Sequence, residues 1–249
     1  MIKASIARLF NSLGYTVVRK GLGFTAEEQK AYQKVQEYTA TTVERLVGLI
    51  DAVRYVSINE IPGDIVECGV WRGGSIMAAM RTLLELGDVS RDFHLFDTFE
   101  GMTEPTDRDV MYDGQTAKAL IDRDKASHGA DHNWCVASLE DVRQHVLSIG
   151  YPKEKVHFIQ GKVEETIPRH APPKIALLRL DTDWYDSTIH ELFHLYPRLS
   201  SQGVLIIDDY GHWEGARQAT DEYFAKTKLR PLLCRMDYSA RMAIKPVTQ

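Results

Sequence analysis

Cysteine is scarce in this chain, and the three present, Cys68, Cys135 and Cys234, lie far apart with no CxxC pair. An odd, scattered set is no disulfide framework and fits a reducing, cytoplasmic compartment. No apolar run reaches the roughly 18 residues needed to span a bilayer. The start lacks the continuous apolar core and small-residue cleavage site of a secretory leader. Basic charge is not in excess either. The formal net charge is -5, whereas a nucleic-acid binder usually carries a basic patch. No repeat or low-complexity tract occurs. What remains is an ordinary globular composition, 44% hydrophobic and 26% charged over 249 residues, enough for one large domain or two small ones.

The first 24 residues stand apart. They carry Lys3, Arg8, Arg19 and Lys20 and no acid, with Ile2, Ile6, Leu9, Phe10 and Leu13 on one helical face. Such a helix packs on its own domain, lies on a membrane surface through residues 1–20, or meets a partner subunit. Assembly into a homo-oligomer is expected.

Helical periodicity dominates residues 25 to about 60, as in Val43, Leu46, Val47, Ile50 and Val53, and Pro62-Gly63 ends it. Residues 1–60 are therefore read as an N-terminal helical extension or lid, and 61–249 as the main domain. Within it, strands are expected over Asp64–Cys68, Phe93–Asp97, Val156–Ile159, Ile175–Leu180 and Val204–Ile207. Helices are expected through Ile76–Leu84 and over 138–148, 187–197 and 214–226. Two further strands, Pro231–Arg235 and Arg241–Lys245, close the chain. Alternation of this kind predicts an α/β, Rossmann-like fold, a seven-stranded mostly parallel sheet with helices on both faces. Ligands of such sheets bind beyond the carboxyl ends of the strands. Three of the first five strands end in acid, at Asp97, Asp181 and Asp208-Asp209.

The first strand runs into Glu67-Cys68-Gly69-Val70-Trp71-Arg72-Gly73-Gly74-Ser75. Gly69 permits a tight turn, and Gly73 and Gly74 let a ligand approach the helix N-terminus. In dinucleotide enzymes a second glycine lets pyrophosphate lie on the backbone. Trp71 stands in its place and speaks against NAD or FAD. S-adenosylmethionine carries no phosphate, but it has a cationic amino group and a sulfonium. Glu67 suits a positively charged ligand, and the Asp97 carboxylate can accept both ribose hydroxyls. A purely structural role, with Glu67 as a helix cap and Asp97 opening a turn, is the competing reading.

Asp181, in Leu180-Asp181-Thr182-Asp183, and Asp208-Asp209 end consecutive strands. Two carboxylates 5 Å apart repel by roughly 3 kcal/mol at an effective dielectric near 20. A cluster of three calls for a cation, and oxygen-only donors point to Mg²⁺, then Ca²⁺ or Mn²⁺. Asp183, Asp186 and Arg179 can serve instead as caps or ion-pair partners. His190-Glu191-Leu192-Phe193-His194 matches HExxH, but its helix should run back across the sheet, away from the carboxyl ends, so zinc is not expected. Residues 100–116 and 122–134 read as mobile lid segments.

At these residues the chain resembles the macrocin O-methyltransferase family. The resemblance is carried by the stretch from Gly63 to Gly74, by Asp97-Thr98-Phe99-Glu100-Gly101, by Leu178 to Asp183, by Tyr196-Pro197-Arg198-Leu199 and by Ile206 to Tyr210. It implies a class I methyltransferase fold and Mg²⁺-dependent methylation of a hydroxyl, often on a deoxysugar of a small-molecule glycoside. It further implies that Glu67 and Gly69, with Trp71, Gly73 and Ser75 of the same turn, hold the methionine part of S-adenosylmethionine. Asp97 would hold the ribose, with Gln160 and Gly161 near adenine. Asp181, Asp208 and Asp209 would ligate Mg²⁺, with Asp181 also the base. Lys162 departs from the aromatic residue commoner in the family after that glycine. A catechol-type acceptor, a nucleotide-binding oxidoreductase and a non-catalytic binding protein are the alternatives. Trp71 speaks against the second and the aspartates against the third.

Overall fold

A computed structural model describes Phe10, Leu13, residues 23–129 and residues 133–247. Apart from Phe10 and Leu13, the basic N-terminal stripe lies outside the described residues, as do residues 130–132 of the expected second lid segment. Seven strands form one sheet in the order β3-β2-β1-β4-β5-β7-β6. They are β1 (Asp64–Cys68), β2 (Phe93–Asp97), β3 (Val156–Gln160), β4 (Ile175–Leu180), β5 (Leu199–Ile207), β6 (Cys234–Arg235) and β7 (Arg241–Ile244). The first five run parallel, and β7 is antiparallel to both β5 and β6. Strand order reverses between β1 and β4, and that switch point is where a crevice opens. This is the Rossmann-like, mostly parallel α/β architecture that the alternation predicted, and it agrees with the class I fold that the resemblance implies.

The helices are α1 (Ala26–Gln33), α2 (Val43–Ile58), α3 (Gly74–Leu86), α4 (Ala117–His128), α5 (Leu139–Leu147), α6 (Val163–Thr166), α7 (Tyr185–Leu195) and α8 (Glu214–Thr227). Strand alternation sorts the core into two layers. Ile65, Leu95, Leu177, Val204 and Ile206 face α2, α3 and α5 through Leu46, Ile50, Met80, Leu83 and Val142. Val66, Cys68, Leu178, Leu180, Leu205 and Ile207 face α6, α7 and α8 through Val163, Leu192, Leu195, Tyr223 and Phe224. By the same period of two, Glu67 and Arg179 point to the side that α2 covers. Helix α2 thus shares one core with the sheet, although it precedes residue 61.

Several boundaries differ from expectation for identifiable reasons. The helical stretch before residue 60 is two helices, because Thr42 starts α2 anew, its hydroxyl accepting the Arg45 N–H at 3.3 Å. Thr116 caps α4 in the same way, so most of the polar stretch from 122 is a helix, not an open lid. The segment from 100 to 116 is also tied down. Asp109 is fully buried and accepts from the Thr106 and Tyr185 N–H groups at 2.7 and 2.8 Å. Bridges Val110–Thr116 and Met111–Trp213 hold its far end. Strand β6 is shorter than Pro231–Arg235, and Pro231 has no N–H to give a ladder.

Candidate active site

The turn after β1 is shaped by close approach. A Cβ on Gly69, at φ +80°, would lie 1.9 Å from the Asp181 carbonyl oxygen. The Asp181 N–H donates to the Cys68 carbonyl at 2.9 Å, so the ends of β1 and β4 are locked across the switch point. Trp71 has φ +47°. The residue that replaces the expected glycine therefore keeps a glycine-like backbone, an uncommon conformation for a bulky side chain and one found where function over-determines the chain. Phe99 and Asp183 share it, with φ +54° and +68°.

Asp97 holds this turn. One carboxylate oxygen accepts from the Val70 and Trp71 N–H groups at 2.6 and 2.9 Å, and the other accepts from Phe99 at 2.7 Å. Three amides occupy part of a carboxylate's roughly four lone-pair sites. Capacity for a ligand hydroxyl remains, on a side chain already fixed in place.

Across the sheet end runs a chain of alternating charge. Arg179 is buried and donates to Glu67 at 2.5 Å and to Asp208 at 2.6 Å, and it pairs with Asp181 at 2.8 Å. Strand register explains this, since Arg179 stands directly beside Glu67 on β1 and Ile206 on β5. Arg45, from the first turn of α2, pairs with the other Asp208 oxygen and reaches Asp237 at 2.7 Å. Two guanidinium groups thus face Glu67, Asp181, Asp183, Asp208, Asp209 and Asp237, and negative charge stays in excess. Burial pushes Glu67 up to about 7 against the pull of Arg179, and one of its oxygens has no hydrogen-bond partner. Burial, opposed by the Trp213 indole that donates at 2.7 Å, lifts Asp183 to about 6. Asp209 is pushed above the usual carboxylate range, chiefly by burial and then by Asp183 and Asp181.

Asp181, Asp208 and Asp209 each offer a carboxylate oxygen, and these atoms lie within 4.8 Å of one another. Among the described residues it is the sole group of this kind. The oxygen-only donors, the 4.8 Å spread and the uncompensated charge fit a hard divalent ion.

A cavity of about 250 Å³ opens on this trio, lined also by Gly69, Trp71, Ser75, Asp97, Asp183, His212 and Tyr238. A smaller one, of about 60 Å³, adjoins it through Gly69, Asp97, Gly101, Met102 and Asp181 and extends to Gly161 and Lys162. Together they form a trough along the carboxyl edge from β3 to β5. Three sequence-expected residues line neither. Glu67 lies beneath the trough on Arg179, and Gly73 turns the chain into α3. Gln160 is exposed and donates to the Thr98 carbonyl at 3.3 Å. The resemblance places it near adenine, and its side chain bonds the loop that follows β2.

The HExxH match is structural. Glu191 is fully buried on α7 and accepts the Thr182 hydroxyl at 3.0 and 3.2 Å, while a His190 ring nitrogen meets the Ile167 carbonyl at 3.0 Å.

A family model described as Macrocin-O-methyltransferase (TylF) matches residues 15–243. This chain belongs to that family. It is accordingly an S-adenosylmethionine-dependent O-methyltransferase. Curated relatives include the 8-demethyl-8-(2,3-dimethoxy-alpha-L-rhamnosyl)-tetracenomycin-C 4'-O-methyltransferase of Streptomyces olivaceus, 37% identical over 75% of this chain and 67% of the relative. The demethyldecarbamoylnovobiocin O-methyltransferase of Streptomyces niveus is 35% identical over 80% of this chain and 72% of the relative. Among solved structures, the O-methyltransferase NovP superposes with a TM-score of 0.72 at 31% identity, over 84% of this chain and 83% of that one. The calicheamicin methyltransferase CalS11, at 22% identity and TM-score 0.56 over 92% of this chain and 97% of that one, shares the fold.

Arg45, His212 and Tyr238 were absent from the sequence reading of this family member. Arg45 is one arginine on an amphipathic helix, and nothing local distinguishes it from a solvated one. His212 follows Asp209 by three residues and so had the nearest usable signal.

Proposed function

We propose that this methyltransferase acts on a sugar hydroxyl of a glycosylated natural product and depends on Mg²⁺ held by Asp181, Asp208 and Asp209. The observation that carries this reading is the convergence of three carboxylate oxygens within 4.8 Å on the wall of the larger cavity. The relatives' names, which specify a rhamnosyl-bearing tetracenomycin and a novobiocin precursor, support a glycoside acceptor. S-adenosylmethionine supplies the methyl group, and Mg²⁺ would lower the pKa of an acceptor hydroxyl.

The chain's own residues do the rest. Gly69, Trp71 and Ser75 flank the methionine part, Asp97 takes a ribose hydroxyl, and Gly161 bounds the adenine end. Asp181 is partly open to the cavity and accepts the hydroxyl proton. Asp183 is the second candidate base, because it lines the same cavity with its carboxylate fixed by the Trp213 indole. Tyr38 to Thr41 and Arg45 line the cavity from the segment before residue 61, which gives that segment a part in covering the site. No helix among the described residues is long and apolar enough to cross a membrane, and the free cysteines fit a cytoplasmic setting.

Calorimetric titration with S-adenosylmethionine and then Mg²⁺ tests the reading. Wild type should bind both, and Asp181→Ala should lose the Mg²⁺ signal and keep the cofactor. Asp183→Asn should bind both and lose turnover on an aryl rhamnoside if it is the base. A wild type that takes up no S-adenosylmethionine would sink the proposal. Asp97→Ala removes the turn's anchor along with the ribose acceptor. At about 1.5–3 kcal/mol for a hydrogen bond to a charged group, cofactor affinity should fall by at least about tenfold. An unchanged affinity would show that Asp97 only shapes the turn.

A further inference from the structure

Of the three aspartates, Asp208 is the one that the chain already neutralises on both oxygens. Arg179 donates to Oδ1 at 2.6 Å, and Arg45 takes Oδ2. Asp181 shares only Arg179, and Asp209 has no arginine or lysine ion-pair partner among the described residues; its Oδ2 accepts the Asp183 N–H at 3.2 Å.

The two arginines differ in kind. Arg179 belongs to the sheet and is fixed by Glu67. Arg45 arrives from outside the sheet, on the first turn of α2, and its placement is built. Its N–H is capped by Thr42, whose hydroxyl also donates to Asp237 at 3.1 Å. Its Nε donates to that same Asp237 oxygen at 2.7 Å. Asp237 is itself held by the Ser239 and Ala240 N–H groups, both at 2.8 Å. The Tyr238 ring lies 5.6 Å from the guanidinium. Only 12% of the Arg45 side chain is exposed.

We propose that Arg45 is a built-in counter-cation that competes with the divalent ion for Asp208 and so lowers the site's affinity for metal. This rests on the reading of the three aspartates as a divalent site. A carboxylate oxygen that accepts a short, charge-assisted hydrogen bond has less to give a cation, and the guanidinium charge repels an ion a few ångströms away. Asp237 makes the exchange feasible. When Asp208 turns to metal, Arg45 keeps a carboxylate partner and no buried charge is stranded. A merely structural Arg45 would behave in the opposite way, since its removal would misplace Asp208 and weaken metal binding.

The test uses the full chain stripped of metal, with Mn²⁺ as the probe and free Mn²⁺ followed by electron paramagnetic resonance, so that activity is not the readout. Arg45→Met should tighten Mn²⁺ binding by about tenfold or more, as expected for loss of one nearby positive charge. Arg45→Lys keeps the charge but not the fork that bridges Asp208 and Asp237, and its binding should lie between those of wild type and Arg45→Met. Binding that is unchanged or weaker in Arg45→Met overturns the proposal. If neither wild type nor Arg45→Met takes up Mn²⁺, the divalent site itself is lost, a separate result. Should Arg45→Met fail to fold, Asp237→Asn decides. Without its second anchor Arg45 bears wholly on Asp208, so Mn²⁺ binding should weaken at an unchanged thermal midpoint, and unchanged binding overturns the proposal.

Discussion

Arg179→Leu should cost this protein more stability than any loss of a single carboxylate from its active site. Arg179 is buried and serves Glu67, Asp181 and Asp208 together. Removing one partner of a buried ion pair typically costs about 3–5 kcal/mol, because the other charge is left without compensation. Here Glu67 and Asp181 lose their arginine, and Asp208 keeps only Arg45. For a chain of this size, about 1 kcal/mol moves the midpoint by roughly 2–4 °C, so thermal unfolding should come roughly 6–20 °C earlier. The deficit should also depend on pH. Glu67 already holds its proton to about pH 7 in the folded protein, well above its unfolded value. A raised carboxyl pKa contributes stability below the unfolded pKa and loses it as pH rises through the folded one. Without Arg179 the folded value climbs further. The gap between wild type and variant should therefore be wider at pH 8 than at pH 6. Calorimetric midpoints at the two pH values check this. A variant that melts with wild type at both would mean that the carboxylates are satisfied by other partners.

That charge chain also marks where the sequence stopped being informative. The three aspartates were legible because each ends a strand, and strand ends of a parallel sheet share one edge. Gly69 and Asp97 were legible for the same reason. The partners that neutralise them were not. Arg179 was noted only as one candidate pair, because its reach to both Glu67 and Asp208 depends on the β1–β4–β5 register. Arg45 and Asp237 are separated by 192 residues, and no local pattern links them. Two arginines offset part of the repulsion among the aspartates. The charge still uncompensated and the spacing of the donor atoms suit a divalent ion.

Loops were read less well than strands, and the reason is again physical. Polar composition over 122–134 suggested an open segment, yet Thr116 and the alanines at 117 and 119 start a helix that runs to His128. Capping chemistry was present in the sequence and carried more weight than hydrophobicity there. The 100–116 stretch is held by Asp109, a buried acid whose partner Tyr185 opens α7. One acid within an acidic loop gives no sign that it will be buried. HExxH fails in the opposite direction, as a motif that is complete in sequence on a helix whose buried Glu191 accepts from Thr182 in the loop after β4.

Gly69→Ala should have the largest effect of any single methyl group added to this protein. Three constraints coincide there. The residue has φ +80°, where alanine is strained by roughly 1–2 kcal/mol. The new Cβ would lie 1.9 Å from the Asp181 carbonyl oxygen and 2.6 Å from its carbon, and both are backbone atoms that no rotamer change can move. The Asp181 N–H to Cys68 carbonyl bond, at 2.9 Å, ties the two strands at this very point. Relief must therefore come from parting the ends of β1 and β4, which displaces Asp181 from Asp208 and Asp209. A shift of about 1 Å in a catalytic constellation can cost about 100-fold in rate, and overpacking adds roughly 1–3 kcal/mol of instability. The variant should remain folded by circular dichroism, melt several degrees early, and lose about two orders of magnitude in methyl transfer. Its Mg²⁺ signal should weaken as well, because Asp181 is the trio member attached to the displaced strand. Ser75→Ala, on the first turn of α3 in the same cavity, adds no atom and moves no backbone. It serves as the comparison. If Gly69→Ala resembles Ser75→Ala in both melting and metal uptake, the switch-point lock between β1 and β4 does not position the aspartates.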